Sequence, residues 1–225
     1  YATNFSEEVQ KQYLGTDYKI ASSLRYTILP DNIGYIYVPS FSNSIGEGNL
    51  DECLHALALC RGLIVDVRGN GGGNLSYAET LAARFTNERV LTGYICHKAG
   101  PGHTDFSTPE PVYLESSDRI RWQKPVCVLT NRSSYSATND FVKIMRTLPL
   151  VTIVGDRTGG GSGLPFSSEL PNGWSVRFSA CPSFDVDMQH TEFGIDPDVK
   201  VDMSDEDCAR GVDTIIEAAR ALLVR

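Results

Sequence analysis

The stretch Gly62-Leu63-Ile64-Val65-Asp66-Val67-Arg68-Gly69-Asn70-Gly71-Gly72-Gly73-Asn74 decides the architecture: an apolar, β-branched run ends in a charged turn rich in glycine. Leu63 to Val67 reads as a short strand buried on both faces. The three successive glycines after it allow positive φ and let the backbone approach a ligand closely. Leu75 to Phe85 follows with helical spacing. A strand, a glycine turn and a helix start can together aim free backbone N–H groups at an anion, either a phosphate or the oxyanion of acyl transfer.

Composition sets the outer limits. The 225 residues are 41% hydrophobic, with no apolar run of about 18 that could cross a membrane. The chain therefore reads as a globular domain, alone or with a small appendage, with no membrane insertion of its own. With 20 Lys and Arg against 28 Asp and Glu, the net charge of -8 argues against nucleic acid or an anionic membrane surface as partner, because both need clustered cations. Cys53, Cys60, Cys96, Cys127, Cys181 and Cys208 are scattered, without ligand spacing, so no metal site is expected. Their number permits disulfides, although Cys127 lies in an apolar strand and reads as a small hydrophobe. The chain opens at Tyr1 without an initiator Met or an apolar leader, as a mature or trimmed product would.

Outward from the glycine turn, the elements alternate. Residues Phe5 to Leu14 form an amphipathic helix begun by Ser6, and Tyr18 to Leu29 a strand. Pro30-Asp31-Asn32 turns the chain into a second strand, Ile33 to Val38. Asn49 caps a helix over Leu50 to Leu59. Pro125 to Thr130 is another buried strand, followed by a helix from Ser136 to Arg146. Leu150 to Gly155 and Trp174 to Ser179 are further strands, the latter entered through Pro171-Asn172-Gly173. Ser204 and Asp207 form a capping box for one last helix, Asp205 to Leu223. Short buried strands alternating with helices give an α/β fold, with residues 1–30 as a helix and strand leading into a core over 31–225.

Two nucleotide readings fail. The G-x-G-x-x-G frame that starts at Gly69 ends on Asn74, and Gly155 to Ser162 fits the phosphate-loop pattern except that Gly161 replaces the lysine.

Three segments in order read better: Asp66 to Gly73; Thr130-Asn131-Arg132-Ser133-Ser134-Tyr135-Ser136-Ala137-Thr138-Asn139-Asp140; and Phe193-Gly194-Ile195-Asp196-Pro197-Asp198. Together they resemble the S41 serine peptidases, the family of the carboxy-terminal processing peptidases and the tricorn core. The first matches that family's D-x-R-x-N-x-G-G turn, the second its strand–loop–helix with the nucleophilic serine, and the third its G-[IV]-x-P-D. Val154-Gly155-Asp156 matches its V-G-[ED] strand end. The resemblance runs from Ile33 to the C-terminus. It implies a ClpP/crotonase-like core, often with a PDZ domain, in enzymes that are often secreted or periplasmic. The implied partner is a peptide or protein substrate, and no cofactor is implied.

Ser136 falls on the nucleophile position. A serine at the tip of a strand that opens a helix leaves its hydroxyl exposed beside free helix N–H groups. Ala137 and either Gly72 or Gly73 are the oxyanion-hole candidates. The alternative for Ser134 or Ser136 is simple helix capping. Asp66, Arg68 and Asn70 are assigned to shaping the site, since an Asp–Arg pair commonly locks a turn.

The base is where the chain departs from the family. The lysine of the processing peptidases falls here on Gly161, so the Ser/Lys dyad is absent. The tricorn-like branch uses a histidine oriented by a glutamate just before G-[IV]-x-P-D, a position close to Glu192; a solvated loop carboxylate is the alternative. No histidine precedes His55, which lies in a predicted helix. His97, His103 and His190 are the remaining candidates, and none matches the family position. The resemblance therefore implies a base carried by a segment before Tyr1. The competing expectation is a peptide-binding pseudoenzyme that keeps the cleft and lacks a base.

Overall fold

The computed structural model describes residues 4–224. Helix α1 (Glu7–Leu14) precedes a hairpin of β1 (Lys19–Ala21) and β2 (Leu24–Leu29), followed by β3 (Ile33–Tyr37), α2 (Glu47–Leu57), β4 (Gly62–Asp66) and α3 (Leu75–Ala82). Next come β5 (Val90–Ile95), β6 (Glu110–Leu114), β7 (Val126–Thr130), α4 (Ala137–Arg146) and β8 (Val151–Gly155). The chain ends with β9 (Phe166–Glu169), β10 (Ser175–Phe178), β11 (Ser183–Phe184), β12 (Val199–Lys200), α5 (Asp205–Ala209) and α6 (Thr214–Leu223).

Seven strands form one sheet in the order β1-β2-β3-β4-β7-β8-β12, parallel from β3 onward and antiparallel across the β1, β2 and β3 pairings. Alternate residues feed two cores, which is why the parallel strands read as unbroken apolar runs. Leu63, Val65, Val126, Val128 and Ile153 join α2, α3 and α4 on one face. Ile64, Cys127, Leu129 and Val154 meet α6 on the other, with Leu14 of α1 in the same cluster. Cys127 behaves there as an apolar side chain, its thiol pushed up to about 12 by burial; all six cysteines are free. Two smaller sheets stand outside this layer: β11-β5-β6, and the hairpin β10-β9.

Three local expectations change. Tyr18 to Leu29 is a hairpin rather than one strand, because Ser22 turns the chain at φ 57°. Within the span 1–30, whose residues 1–3 lie outside the described residues, α1 leads into the hairpin strands β1 and β2, which join the main sheet. Asn49 sits inside α2 rather than before it, and its Oδ1 accepts from the Gly46 amide. The single helix over Asp205 to Leu223 is two, since Asp213 caps a second start by accepting from the amides of Ile215 and Ile216.

That cap carries a second load. Arg68, wholly buried, is clamped between Asp66 (2.7 Å) and Asp213 (2.9 Å). Each of its five N–H groups has an acceptor, four on the two carboxylates and the fifth on the Asn4 carbonyl. Burial works against the guanidinium's charge, but the two carboxylates outweigh it and hold the group protonated well above its ordinary range. Removing one partner leaves a buried charge uncompensated, which costs about 3–5 kcal/mol. Asp213→Ala is accordingly expected to lower the unfolding free energy by that amount in urea titrations, and a loss under about 1 kcal/mol would show the triad to be dispensable.

Candidate active site

The turn after β4 is held in place from three sides. The Asn70 Oδ1 accepts from the Gly72 amide (2.9 Å) and the Thr138 hydroxyl (2.7 Å), and its Nδ2 donates to the Val38 carbonyl (3.0 Å). The Gly69 amide donates to the Asn131 Oδ1. Asp66 receives Arg68 and the Tyr35 hydroxyl, whose oxygen accepts from Gln10. None of Asp66, Arg68 and Asn70 is exposed, so these three fix the turn and do not face solvent.

Ser136 heads α4 at φ 59°, ψ -124°, a conformation rare for a residue with a Cβ. Such backbone costs about 1–3 kcal/mol and persists only where its surroundings enforce it. Here the enforcers flank it: the Tyr135 amide donates to the Asn70 carbonyl (3.0 Å) and the Ser136 amide to the Gly160 carbonyl (2.8 Å). One consequence is that the Ser136 side chain makes no capping hydrogen bond. Ser134 does not cap α4 either, since its hydroxyl donates to the Val67 carbonyl and accepts from the Asn131 amide. The capping alternative therefore fails for both serines.

Among the described residues the Ala137 amide has no acceptor, nor has that of Gly73, whereas the Gly72 amide is committed to Asn70. Of the two glycines, only Gly73 thus retains a free donor. Gly72 has a different task. A Cβ there would stand 2.6 Å from the Tyr135 carbonyl, 2.8 Å from the Ser136 Cβ and 2.9 Å from the Ala137 nitrogen, so the turn can lie against the head of α4 only without one. Ser136, Gly72, Gly73 and Tyr135 line an open cleft of about 580 Å³ together with Arg177 and Phe178 of β10 and Ser179 just after it.

The expected base positions are dispersed. Gly161 also lines the cleft, at φ 77°, with its amide donating to the Glu192 carbonyl. A Cβ at 161 would fall inside the ring of Tyr135, so that ring fills the space a longer side chain would need. The Glu192 carboxylate is half-buried and accepts from the Ser179 hydroxyl at 3.2 Å, one residue removed from the cleft. No histidine lines this cleft among the described residues. His55 is exposed on α2; His97 lies against Cys181, its Nδ1 3.5 Å from the sulfur; His103 sits on an exposed loop. His190 stacks edge-on against Phe184, and its Nδ1 accepts from the Glu192 amide.

Sequence reasoning missed Asp213, Thr138, Arg177 and Ser179. Only Asp213 had a local signal, as a capping residue shortly after Gly211. The others enter through tertiary proximity alone.

With this geometry in view, the comparisons converge. The model of peptidase family S41 matches residues 32–201. The chain belongs to peptidase family S41. A crystal structure of a Parabacteroides merdae ATCC 43184 protein, provisionally described as a peptidase, superposes with a TM-score of 0.96 at 62% identity, over 100% of this chain and 71% of that one. Carboxy-terminal processing protease CtpA of Bacillus subtilis (strain 168) is 26% identical over 78% of this chain and 36% of its own length. Tricorn protease of Thermoplasma acidophilum is 28% identical over 85% of this chain and 17% of its own length. The mostly parallel sheet with helices on both faces is thus an S41 peptidase fold, and the chain spans well under half the length of these two curated relatives. No helix of the described residues is long and apolar enough to cross a membrane.

Gly161 gives a direct test of the packing that excludes a side chain beside Ser136. Gly161→Ala should destabilise the chain by about 1–3 kcal/mol. Combining it with Tyr135→Ala should recover the steric part, giving a double-mutant coupling of at least about 1 kcal/mol in thermal melts; simple additivity would mean that the two residues do not compete for space.

Proposed function

We propose that this chain is the catalytic core of a serine-type S41 endopeptidase. The observation that carries it is Ser136: a strained residue at the head of a helix, with an uncommitted hydroxyl beside an unpartnered Ala137 amide. In this reading the Ser136 Oγ attacks a peptide carbonyl and the amides of Ala137 and Gly73 receive the oxyanion. Because those donors are fixed in advance, no reorganisation is spent when charge develops; losing one such donor lowers kcat by about 10²–10³. Gly72, whose amide is spent on Asn70, serves instead as the close-approach point.

The proton of Ser136 goes to a histidine carried outside this chain, and Glu192 orients that imidazole and stabilises its cation. Its carboxylate, held near the cleft wall by Ser179, supports this role. Substrates are extended peptides or protein tails, added as a strand beside the glycine turn. Export to the periplasm or secretion belongs to the same proposal and rests on the family resemblance alone.

A second reading, a peptide-binding pseudoenzyme, is favoured by one observation, that no histidine lines the cleft among the described residues. Labelling with a fluorophosphonate probe separates the two. Full-length protein should label, and Ser136→Ala should abolish that label. Labelling of the longer product but not of this chain places the base outside it, whereas no labelling of either favours the binding module.

A further inference from the structure

The β9–β10 hairpin stands away from both cores, with every β9 residue exposed and Val176 the only β10 residue that is not. Nothing among the described residues covers it, yet it forms a wall of the Ser136 cleft. That cleft is lined by hydroxyls, glycine backbone and aromatic rings, with a single charged side chain, Arg177. The chain as a whole carries a net charge of -8, so a lone cation at this position runs against the background.

Arg177 is also uncommitted. It makes no hydrogen bond, ion pair or ring contact among the described residues, in contrast to Arg68, Arg84, Arg119 and Arg220, each paired with carboxylates. Its cross-strand partner is Ser167, and the diagonal neighbour Glu169 forms no ion pair with it. Glu192 is already held by Ser179. An arginine that lines a cleft without an acid of its own is suited to a carboxylate that arrives with the ligand, since its planar fork matches that group in a bidentate manner.

We infer that Arg177 reads a carboxylate on the bound peptide, and that this site selects substrates carrying an acidic side chain or a free C-terminus near the bond under attack. The inference rests on the reading of the cleft as peptide-binding. Arg177 lines the same cleft as Ser136, so the carboxylate it reads lies close to the bond under attack.

The test is binding of fluorescein-labelled octapeptides to full-length protein carrying Ser136→Ala, followed by anisotropy. Paired peptides differ only in Glu against Gln at one position with an amidated end, or only in a free against an amidated end with Gln inside. One of the two pairs should show about tenfold tighter binding of the charged member, weakening with salt, and that pair identifies the source of the carboxylate. Arg177→Met should bring the ratio within about twofold, and Arg177→Glu should turn it in favour of a Lys-containing peptide. Equal binding in both pairs, or a preference that survives Arg177→Met, overturns the inference. Charge selection without fluorophosphonate labelling would refute the peptidase reading and keep this one; labelling and cleavage without charge selection would do the reverse.

Discussion

The buried Asp66–Arg68–Asp213 triad is the constraint on which the site depends. It ties the end of the central strand β4 to the start of α6, two points far apart in the chain. Three charges are costly to take out of water, and the arrangement is tolerable because every guanidinium N–H has an acceptor and both carboxylates are multiply bonded. The triad's net negative charge also sits at the N-terminus of α6, where the helix dipole favours it. With the turn after β4 fixed in this way, Asn70 emerges at a defined place and reaches both Val38 and Thr138.

From Asn70 the constraint passes to Ser136. The Asn70 carbonyl takes the Tyr135 amide while its side chain takes Thr138, so one residue grips the chain on both sides of the serine. Gly160, arriving from the end of β8, supplies the third grip by accepting from the Ser136 amide. The unfavourable backbone of Ser136 is therefore held by three contacts from two chain segments, the Asn70 turn and the Gly160 loop, and its hydroxyl lines the cleft instead of capping its own helix. Strain of this kind is a local cost that a well-packed core can carry.

Much of this was legible in the residues. The apolar runs at Leu63 and Val126, broken by polar turns, marked strands buried on both faces, and the D-x-R-x-N-x-G-G turn marked the strand end after β4; that these strands run parallel came from the structure. Ser136 and Ala137 were singled out by the resemblance of their strand–loop–helix to the family's motif, since local position alone leaves helix capping as an open reading. Less could be said of donors that differ only in their partners. Gly72 and Gly73 are equivalent as letters, yet the Gly72 amide is spent on Asn70 and the Gly73 amide is not. The continuous helix expected over Asp205 to Leu223 shows the same limit: its periodicity concealed the cap at Asp213, whose carboxylate is claimed by Arg68.

By itself the sequence determined what depends on neighbours in the chain: strand periodicity, turn chemistry, the order of the motifs, and the absence of a lysine at position 161. Only the tertiary structure decided which amides remain unpaired, that Tyr135 fills the space over Gly161, that none of the four histidines lines the Ser136 cleft, and that Arg177 on a distant hairpin lines it. The reason is physical. Periodicity and backbone preference act over a few residues, whereas a hydrogen bond or a steric exclusion between segments exists only once the sheet has brought them within a few ångströms.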